Sequence, residues 1–565
     1  MENKQISNIF LKNNRTNFIC VLFFMICLGV LNIATAFLFK NLADTAMGGT
    51  YEGLKKLIYA SIIFLMMYVL ISCLKTIFMN RYVYEAMTHY KNYILHRILK
   101  KKINAFNTEV TGKYISELTN DVLTIENNYV QGSINIIYQT FLLVSGIGVM
   151  LYLNWMLTLC TIIAAMIPVM MSVIIGDRLS VQEKKVSDMN SGFVEFINDV
   201  FKGFSIIKSF KVEEQIFCNY KSKNSLLEKS KKERSMVANF VNIISFSSSF
   251  IVTVVVCGVG VYLSIKGSET LGTVIAFIQL LDYVVNPIQE LSPAIANRRA
   301  AKLLIGKALE ESGQNINEDF TVTQIGFNEG IKLSHVSFAY ESKKVLDDIS
   351  VEFKKGESYA IVGQSGSGKT TLLNMLMGYH SVYSGEIKID GQDILNVSPQ
   401  CLYDLITIIQ QNVFIFDDSI LKNITMYREY DASEIKEAIE KAGLSKLVED
   451  KGLDYQCGEN GNNLSGGEKQ RISIARALLN KTSVLLVDEA TAALDSENTK
   501  NIMESILNLK EMTRIVITHN LNNQCLAHFN HILVMKNGKI VETGQFEELY
   551  NRKEFFYSLV NTYSN

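Results

Sequence analysis

Residues 359–370 have the sequence Tyr-Ala-Ile-Val-Gly-Gln-Ser-Gly-Ser-Gly-Lys-Thr, and this stretch decides the fold of the second half of the chain. Its first four residues predict a buried β-strand, and the residues after Thr370 predict a helix. A glycine-rich loop between a strand and a helix is typical of a phosphate-binding P-loop. In such a loop, backbone N–H groups at the start of the helix converge on phosphate oxygens.

The residue types in this loop predict bound ATP and Mg²⁺. Lysine at position 369 suits the β- and γ-phosphates, and the Thr370 hydroxyl suits Mg²⁺. Glycines allow the backbone to approach the phosphates closely. The predicted nucleotide-binding residues of the loop are Gly363, Ser365, Gly366, Gly368, Lys369, Thr370 and Thr371.

A second motif completes the predicted site. Residues 483–489 have the sequence Ser-Val-Leu-Leu-Val-Asp-Glu, an apolar strand that ends in two carboxylates. Asp488 suits the Mg²⁺ shell, and Glu489 is placed to polarise the water that attacks the phosphate. Acidic residues at a strand end are often only solvated. When they follow a buried strand in a P-loop domain, however, a catalytic role is the better interpretation.

The composition changes near residue 310 of the 565-residue chain. The first half consists of long apolar runs, whereas charged residues and glycine clusters recur in the second half. The formal net charge is −1, and no basic domain or arm stands out, so nothing indicates a nucleic-acid partner.

The apolar runs are long enough to cross a bilayer, which takes about 20 residues. They predict six membrane-spanning helices: 16–39, 57–74, two within 127–176, 235–265 and 270–291. Lys and Arg are concentrated between spans two and three and between spans four and five. By the positive-inside rule, both termini and the second half of the chain are therefore cytoplasmic in an integral cell membrane protein. The two basic stretches predict helical arms that extend from the spans into the cytoplasm.

The sixth span carries a carboxylate, Asp282, near mid-membrane. Gln279 and Asn286 lie three and four residues away and share its helical face. An ionised carboxylate facing lipid is costly, so this face predicts a polar substrate pathway. A structural carboxylate that hydrogen-bonds a neighbouring helix is an equally good interpretation.

Residues 464–471, Leu-Ser-Gly-Gly-Glu-Lys-Gln-Arg, precede the strand 483–489 and are similar to the signature motif of the ATP-binding cassette (ABC) family. Tyr340 resembles that family's adenine-stacking aromatic residue, and Gln411 resembles its Q-loop glutamine. Residues 490–495 resemble the D-loop, and His519 resembles the switch histidine. Residues 105–122 and 203–213 resemble the cytoplasmic arms of exporter-type membrane domains, so the similarity covers nearly the whole chain.

The resemblance implies an α-helical six-span transmembrane domain with long cytoplasmic arms, fused to an α/β P-loop nucleotide-binding domain. The implied boundaries are 1–311 for the membrane domain, 312–328 for a linker and 329–565 for the ATPase. It implies Glu489, His519 and Gln411 as catalytic residues, with Thr370, Gln411 and Asp488 around Mg²⁺. ATP then lies between the P-loop of one subunit and Ser465, Gly466 and Gly467 of another.

Because the chain has one copy of each motif, the resemblance implies a dimer of half-transporters, with a homodimer favoured and a heterodimer possible. The favoured activity is ATP-driven export of a lipid, an amphipathic drug or a peptide. An importer built on the exporter fold, and an ATP-regulated membrane protein that transports nothing, stay open. Glu468 stands where the family most often has glutamine. How strongly this signature motif supports the ATP site of the opposite subunit therefore stays open.

Overall fold

The computed structural model describes the chain except residues 1, 49, 102, 104–105, 107–110, 314–321, 323, 341–342, 382, 490–495, 520–522 and 564–565. The described chain forms two compact units. The first, called here the helical unit, comprises residues 1–99 and 110–314, and the second, the sheet unit, comprises residues 100–109 and 315–565. Most of the predicted linker 312–328 lies outside the described residues, so its boundaries stay a prediction.

The helical unit consists of ten α-helices and one π-helical segment among its described residues. The α-helices are α1 (Glu2–Leu11), α2 (Arg15–Gly48), α3 (Tyr51–Ile98), α4 (Thr111–Leu118), α5 (Asn120–Ile125), α6 (Gly132–Leu153), α7 (Trp155–Lys202), α8 (Phe204–Phe210), α9 (Glu213–Ile265) and α10 (Leu271–Gly313). The π-helical segment is Glu126–Gln131, immediately before α6.

The six predicted spans lie in α2, α3, α6, α7, α9 and α10. Among the described residues, four helices are long and apolar enough to cross a membrane, namely Arg15–Gly48, Tyr51–Ile98, Gly112–Leu153 and Leu271–Ser312. Shorter apolar segments, Trp155–Met166 and Ser249–Ile265, lie in α7 and α9. The two spans predicted within 127–176 are joined by a tight turn at Asn154, whose side chain accepts a hydrogen bond of 2.9 Å from Leu157 N at the start of α7.

The predicted arms are also confirmed. The helices α3 and α7 have 48 residues each and α9 has 53, so at 1.5 Å per residue each is about 70 Å or more in length. That length exceeds the roughly 30 Å of the hydrocarbon core, and the remainder projects beyond it. One hydrophobic cluster packs α1 against the projecting part of α3, and a second cluster packs α10 against α2, α6, α7 and α9 within the apolar spans.

The sheet unit contains two sheets. Its strands are β1 (Gly330–Tyr340), β2 (Lys343–Lys354), β3 (Ser358–Gly363), β4 (Ser384–Ile389), β5 (Gln392–Asp393), β6 (Ile406–Ile409), β7 (Val484–Asp488), β8 (Thr513–Ile517), β9 (His531–Lys536) and β10 (Lys539–Gly544). A four-stranded sheet has the order β2-β1-β4-β5, and its pairs are antiparallel. A six-stranded sheet has the order β10-β9-β3-β8-β7-β6 and is parallel except for β10.

Helices cover the six-stranded sheet, whose central strands are buried on both faces, as is usual for parallel sheets. These helices are α11 (Lys369–Leu376), α12 (Pro399–Leu405), α13 (Ile420–Thr425), α14 (Ala432–Lys441), α15 (Ser445–Lys451), α16 (Gly466–Asn480), α17 (Ser496–Leu507), α18 (Asn523–Leu526), α19 (Phe546–Arg552) and α20 (Phe555–Tyr563). The predicted α/β fold of the second half is therefore confirmed.

Candidate functional site

The strand order brings four predicted motifs to one edge of the six-stranded sheet. Strands β3, β8, β7 and β6 are consecutive parallel neighbours, so their carboxyl ends meet at the same edge. Ligands of open α/β sheets bind at this edge. The four strands are followed there by the P-loop, His519, Glu489 and Gln411.

Backbone geometry explains two of the P-loop glycines. Gly363 has φ +155°, and a Cβ atom there would lie 2.3 Å from the Met535 carbonyl oxygen. Gly368 has φ +101°, and its Cβ would lie 2.9 Å from both the Val345 carbonyl oxygen and Leu346 Cδ2. Only glycine adopts both conformations without strain or overlap. By contrast, Gly366 has φ +78° with open space around the missing Cβ.

Lys369 begins α11, and its ammonium group is folded over the loop. Lys369 Nζ donates to the carbonyl oxygens of Gly363 at 2.8 Å and of Gln364 at 3.1 Å. Burial lowers the pKa of Lys369, while the nearby carboxylates of Glu489 and Asp488 act in the opposite direction. The cation is therefore held at the loop, within reach of any anion bound by the backbone N–H groups.

Thr370 and Asp488 meet although 118 residues separate them in the sequence. Thr370 Oγ1 donates to Asp488 Oδ1 at 3.2 Å. Burial raises the pKa of the Asp488 carboxyl, which the Thr370 hydrogen bond partly offsets. A hydroxyl and a carboxylate in contact at a phosphate-binding loop are the oxygen ligands that Mg²⁺ prefers, so these residues fit the predicted metal.

The Glu489 carboxylate is contacted on both oxygens. Gln411 Nε2 donates to Glu489 Oε2 at 2.7 Å, and His519 Nε2 lies 2.5 Å from Glu489 Oε1. The backbone of Glu489 is left-handed, with φ +49°, and its N–H donates to the Ile517 carbonyl oxygen at 3.2 Å. A left-handed turn in a non-glycine residue is uncommon and is concentrated at functional sites. The structure thus brings the three predicted catalytic residues together.

Ser367 is a site residue that the sequence reasoning missed. It lies in the P-loop and is 4% exposed, and among the described residues its Oγ has no hydrogen-bond partner. An unsatisfied buried hydroxyl is costly, and a phosphate oxygen would satisfy it. The signal was available in the sequence, because Ser367 lies inside the glycine-rich loop. Of the predicted neighbours, Ser365 is exposed in the loop and Thr371 is buried in α11.

Tyr340 ends strand β1 and is 45% exposed. Its hydroxyl lies 3.1 Å from His380 Nε2, and its ring meets Phe338 edge-on with centroids 4.8 Å apart. The histidine was not predicted, because nothing in its local sequence marks it. The Tyr340 ring is partly exposed, which fits the predicted contact with adenine.

The signature residues form the N-terminus of α16. Ser465 is the N-cap and its Oγ accepts from Glu468 N at 3.3 Å, while Glu468 Oε2 accepts from Ser465 N at 2.6 Å. Glu468 therefore completes a capping box, in which Glu and Gln are equivalent partners. Gly466 and Gly467 form the first turn, where N–H groups are unsatisfied within the helix. Within the described chain, none of these residues hydrogen-bonds the P-loop.

Arg476 joins the signature helix to the segment after Gln411, and the sequence reasoning did not single it out. Its guanidinium donates to the Phe414 carbonyl at 2.7 Å, to the Asn423 carbonyl at 2.6 Å and to Asn423 Oδ1 at 2.8 Å. Burial lowers the pKa of Arg476 to about 10, so it stays charged near pH 7. The partly buried guanidinium group of Arg476 therefore connects α16 to α13 and to the loop that follows β6.

Two sets of predicted residues are not placed in the site. The D-loop match, residues 490–495, lies outside the described residues. The predicted pathway residues lie on α10 in the helical unit, where Asp282 and Asn286 are exposed and Gln279 is partly exposed. Their role stays a prediction.

Comparisons with known proteins agree with this description. Residues 18–288 match the family model of the ABC transporter transmembrane region, and residues 346–492 match that of the ABC transporter. A Staphylococcus aureus (strain NCTC 8325 / PS 47) protein named as a multidrug export ATP-binding/permease protein is 32% identical over 499 residues, which cover 83% of this chain and 84% of the relative. A protein of the same name from strain bovine RF122 / ET3-1 is 31% identical over the same shares.

A solved structure of a bacterial Atm1-family ABC exporter with ATP bound has a TM-score of 0.85 and covers 98% of both chains. Its sequence identity is 23%, so this likeness concerns the fold. The relatives match most of the chain, and each of the two family models matches one half of it. The chain belongs to the ABC transporter family, as an integral membrane transporter with an exporter-type fold and a nucleotide-binding, ATP-hydrolysing domain.

Proposed function

We propose that this chain is one half of a dimeric exporter, which hydrolyses ATP to move an amphipathic lipid, drug or peptide out of the cytoplasm. The observation that carries the proposal is the contact of Glu489 with both Gln411 and His519, beside the Thr370–Asp488 pair. These residues form a complete hydrolytic set in a single chain. The curated relatives named as multidrug export proteins support the direction of transport.

In the proposed site, Lys369, Ser367 and the P-loop N–H groups hold the β- and γ-phosphates, and the Tyr340 ring stacks on adenine. Thr370, Asp488 and Gln411 would hold Mg²⁺, which would supply neutralisation of the phosphate charge. Glu489 orients the attacking water and accepts its proton. His519 positions Glu489 and contacts the γ-phosphate, so the histidine has both a carboxylate and a phosphate as partners.

A second chain is required in this proposal because, within the described chain, no hydrogen bond joins the signature residues to the P-loop. The first turn of α16 presents unsatisfied N–H groups and carries partial positive charge. A γ-phosphate bound to the P-loop of one chain can receive these donors from another chain. ATP then joins two sheet units, and its hydrolysis releases them. Since Lys369, Glu489 and His519 are all present, we propose a homodimer with two active sites.

The proposal is tested by reconstituting the purified chain alone in proteoliposomes whose ATP-binding units face outward. The mass of the detergent-solubilised complex is expected to equal two copies of the chain. ATP added outside should drive accumulation of a fluorescent amphiphile in the lumen. If ATPase activity appears only after a related subunit is added, the homodimer is wrong. ATP-driven loss of a preloaded amphiphile from the lumen would indicate an importer.

A further inference from the structure

The sixth spanning helix, α10, has two faces of opposite character. One face packs into the cluster shared with α2, α6, α7 and α9. Its side chains there include Phe277, Leu280 and Val284, which are at most 1% exposed. This face therefore holds α10 in the bundle, and the opposite face is turned outward from the chain.

The outward face is apolar at the exposed Leu271 and Ile275 and becomes polar in the second half of the span. Asp282, Asn286 and Glu290 are exposed and follow one another at four-residue intervals, so they lie along one side of the helix. The exposed surface of α3 in the same membrane layer is different. Between residues 57 and 74 its exposed large side chains are apolar or aromatic: Ile58, Tyr59, Ile62, Ile63, Leu65, Met66, Met67, Val69 and Leu70.

The difference in polarity between the exposed residues of α3 and α10 indicates that the two surfaces contact different environments. The α3 surface matches hydrocarbon. Asp282 on α10 does not, because a charged side chain near the bilayer centre costs several kcal/mol and is found almost only beside water-filled cavities or partners. The α10 face is therefore directed to a polar cavity. Asp282 lies 11 residues and Glu290 19 residues after the start of α10 at Leu271, which places Asp282 about 16 Å and Glu290 about 28 Å along the span.

The negative charge on this face is not neutralised within the described part of the chain. Neither Asp282 nor Glu290 forms an ion pair there. Glu290 Oε2 accepts a hydrogen bond from the neutral Gln139 of α6, which orients the carboxylate without cancelling its charge. The next cation along the helix, Arg298, is engaged elsewhere: its Nε donates to Ser133 Oγ at 2.7 Å and its guanidinium lies 5.1 Å from the Tyr129 ring centroid.

We propose that this face of α10 is a binding track for organic cations, in which Glu290 and Asp282 are successive sites for a protonated amine or other onium group on an apolar body. The inference rests on the proposed transport function and specifies its substrate class. The two carboxylates are about 12 Å apart along the helix, so a cation passes from one to the other over two turns.

The test measures binding without ATP, so that it is independent of transport. The full chain in nanodiscs of zwitterionic lipid is titrated with tetraphenylphosphonium and with tetraphenylborate, a cation and an anion of nearly equal size and shape, by equilibrium dialysis against empty nanodiscs. The cation is expected to bind at least about tenfold more tightly than the anion after subtraction. Equal binding of the two probes would overturn the proposal.

The variants Asp282→Asn and Glu290→Gln each remove one charge at nearly constant volume and are expected to weaken phosphonium binding at least about fivefold. The control Glu310→Gln removes an exposed carboxylate from the same helix outside the span and should leave binding unchanged. Asn286→Asp adds a charge between the two sites and should tighten binding, which tests the proposal even if a loss-of-charge variant fails to fold.

Unchanged phosphonium binding in the Asp282→Asn, Glu290→Gln double variant would refute the track. The track would also be refuted if the double variant dissociated into single chains and kept its preference for the cation. That result would assign the two carboxylates to the contact between subunits. If the wild-type chain binds the cation as described but shows no ATP-driven movement of any amphiphile, the proposed export function fails while the cation site stands.

Discussion

Glu489 and His519 follow neighbouring parallel strands, and the imidazole Nε2 lies 2.5 Å from the carboxylate Oε1. The other carboxylate oxygen accepts a hydrogen bond from Gln411. The Glu489 carboxylate is thus held from two sides, which suits the role of base proposed for it. Such preorganisation matters for phosphoryl transfer, because catalysis there depends mainly on positioning and charge.

Replacing Glu489 by Gln is expected to slow ATP hydrolysis at least about 100-fold, because loss of a positioned base costs about 10² to 10⁴ in rate. ATP binding should be retained, so ATP should stay bound to the complex and be measurable in its peak after size-exclusion chromatography. Glu449→Gln, at an exposed position on α15, is the matched control and should hydrolyse ATP at the parental rate. Near-normal turnover of the Glu489→Gln variant would remove Glu489 from this role.

His519→Ala is expected to reduce turnover strongly in the parental chain and to have little further effect in the Glu489→Gln background. The reason is that residues acting as one unit have non-additive effects on catalysis. A double-mutant cycle of steady-state ATPase rates measures this coupling. If the two rate losses multiply, the histidine acts independently of Glu489, and the contact seen here is not part of the mechanism.

Glu468→Gln should leave both thermal stability and ATPase activity nearly unchanged, because glutamine also completes a capping box. Among the described residues, Glu468 forms an ion pair with Lys451, at 3.8 Å and partly exposed, and such pairs contribute about 0–1 kcal/mol. Ser465→Ala, by contrast, removes the N-cap oxygen and should cost about 1 kcal/mol. Differential scanning fluorimetry of the full chain compares the variants, and a large loss with Glu468→Gln would contradict the capping role.

Two glycine substitutions in the P-loop separate strain from steric overlap. Gly366→Ala meets open space and should cost about 1 kcal/mol for its left-handed backbone alone. Gly368→Ala carries the same kind of strain and also places Cβ 2.9 Å from the Val345 carbonyl oxygen. We expect the larger drop in unfolding temperature for Gly368→Ala. An equal drop in both variants would show that the loop relaxes around the added methyl group.

Arg476→Ala should destabilise the sheet unit by about 1–3 kcal/mol, because it removes three charge-assisted hydrogen bonds, to the Phe414 carbonyl and to two oxygens of Asn423. Arg476→Lys keeps the charge but not the planar fork, so we expect an intermediate effect. Thermal unfolding measures the stability, and the ATPase rate at a temperature where both variants are folded reports on the coupling to Gln411. Parental stability of Arg476→Ala would mean that water replaces the guanidinium.

The sequence by itself determined the features that depend on short stretches of chain. Span length and charge-free runs predicted the six spanning helices, since each span must match the bilayer independently of the others. The P-loop was recognisable because its glycines serve local backbone geometry, as Gly363 and Gly368 show. The helix cap at Ser465 is local in the same way, since its capping partner Glu468 is only three residues away.

Tertiary structure alone decided which of these pieces meet. The contact of Thr370 with Asp488 spans 118 residues, and that of Gln411 with Glu489 spans 78. Both depend on the order β3-β8-β7-β6, which is set by long-range strand pairing and packing rather than by local sequence. The same holds for α10, where periodicity placed Asp282 on a polar face, but only packing against the other helices left that face exposed and carried Glu290 into it.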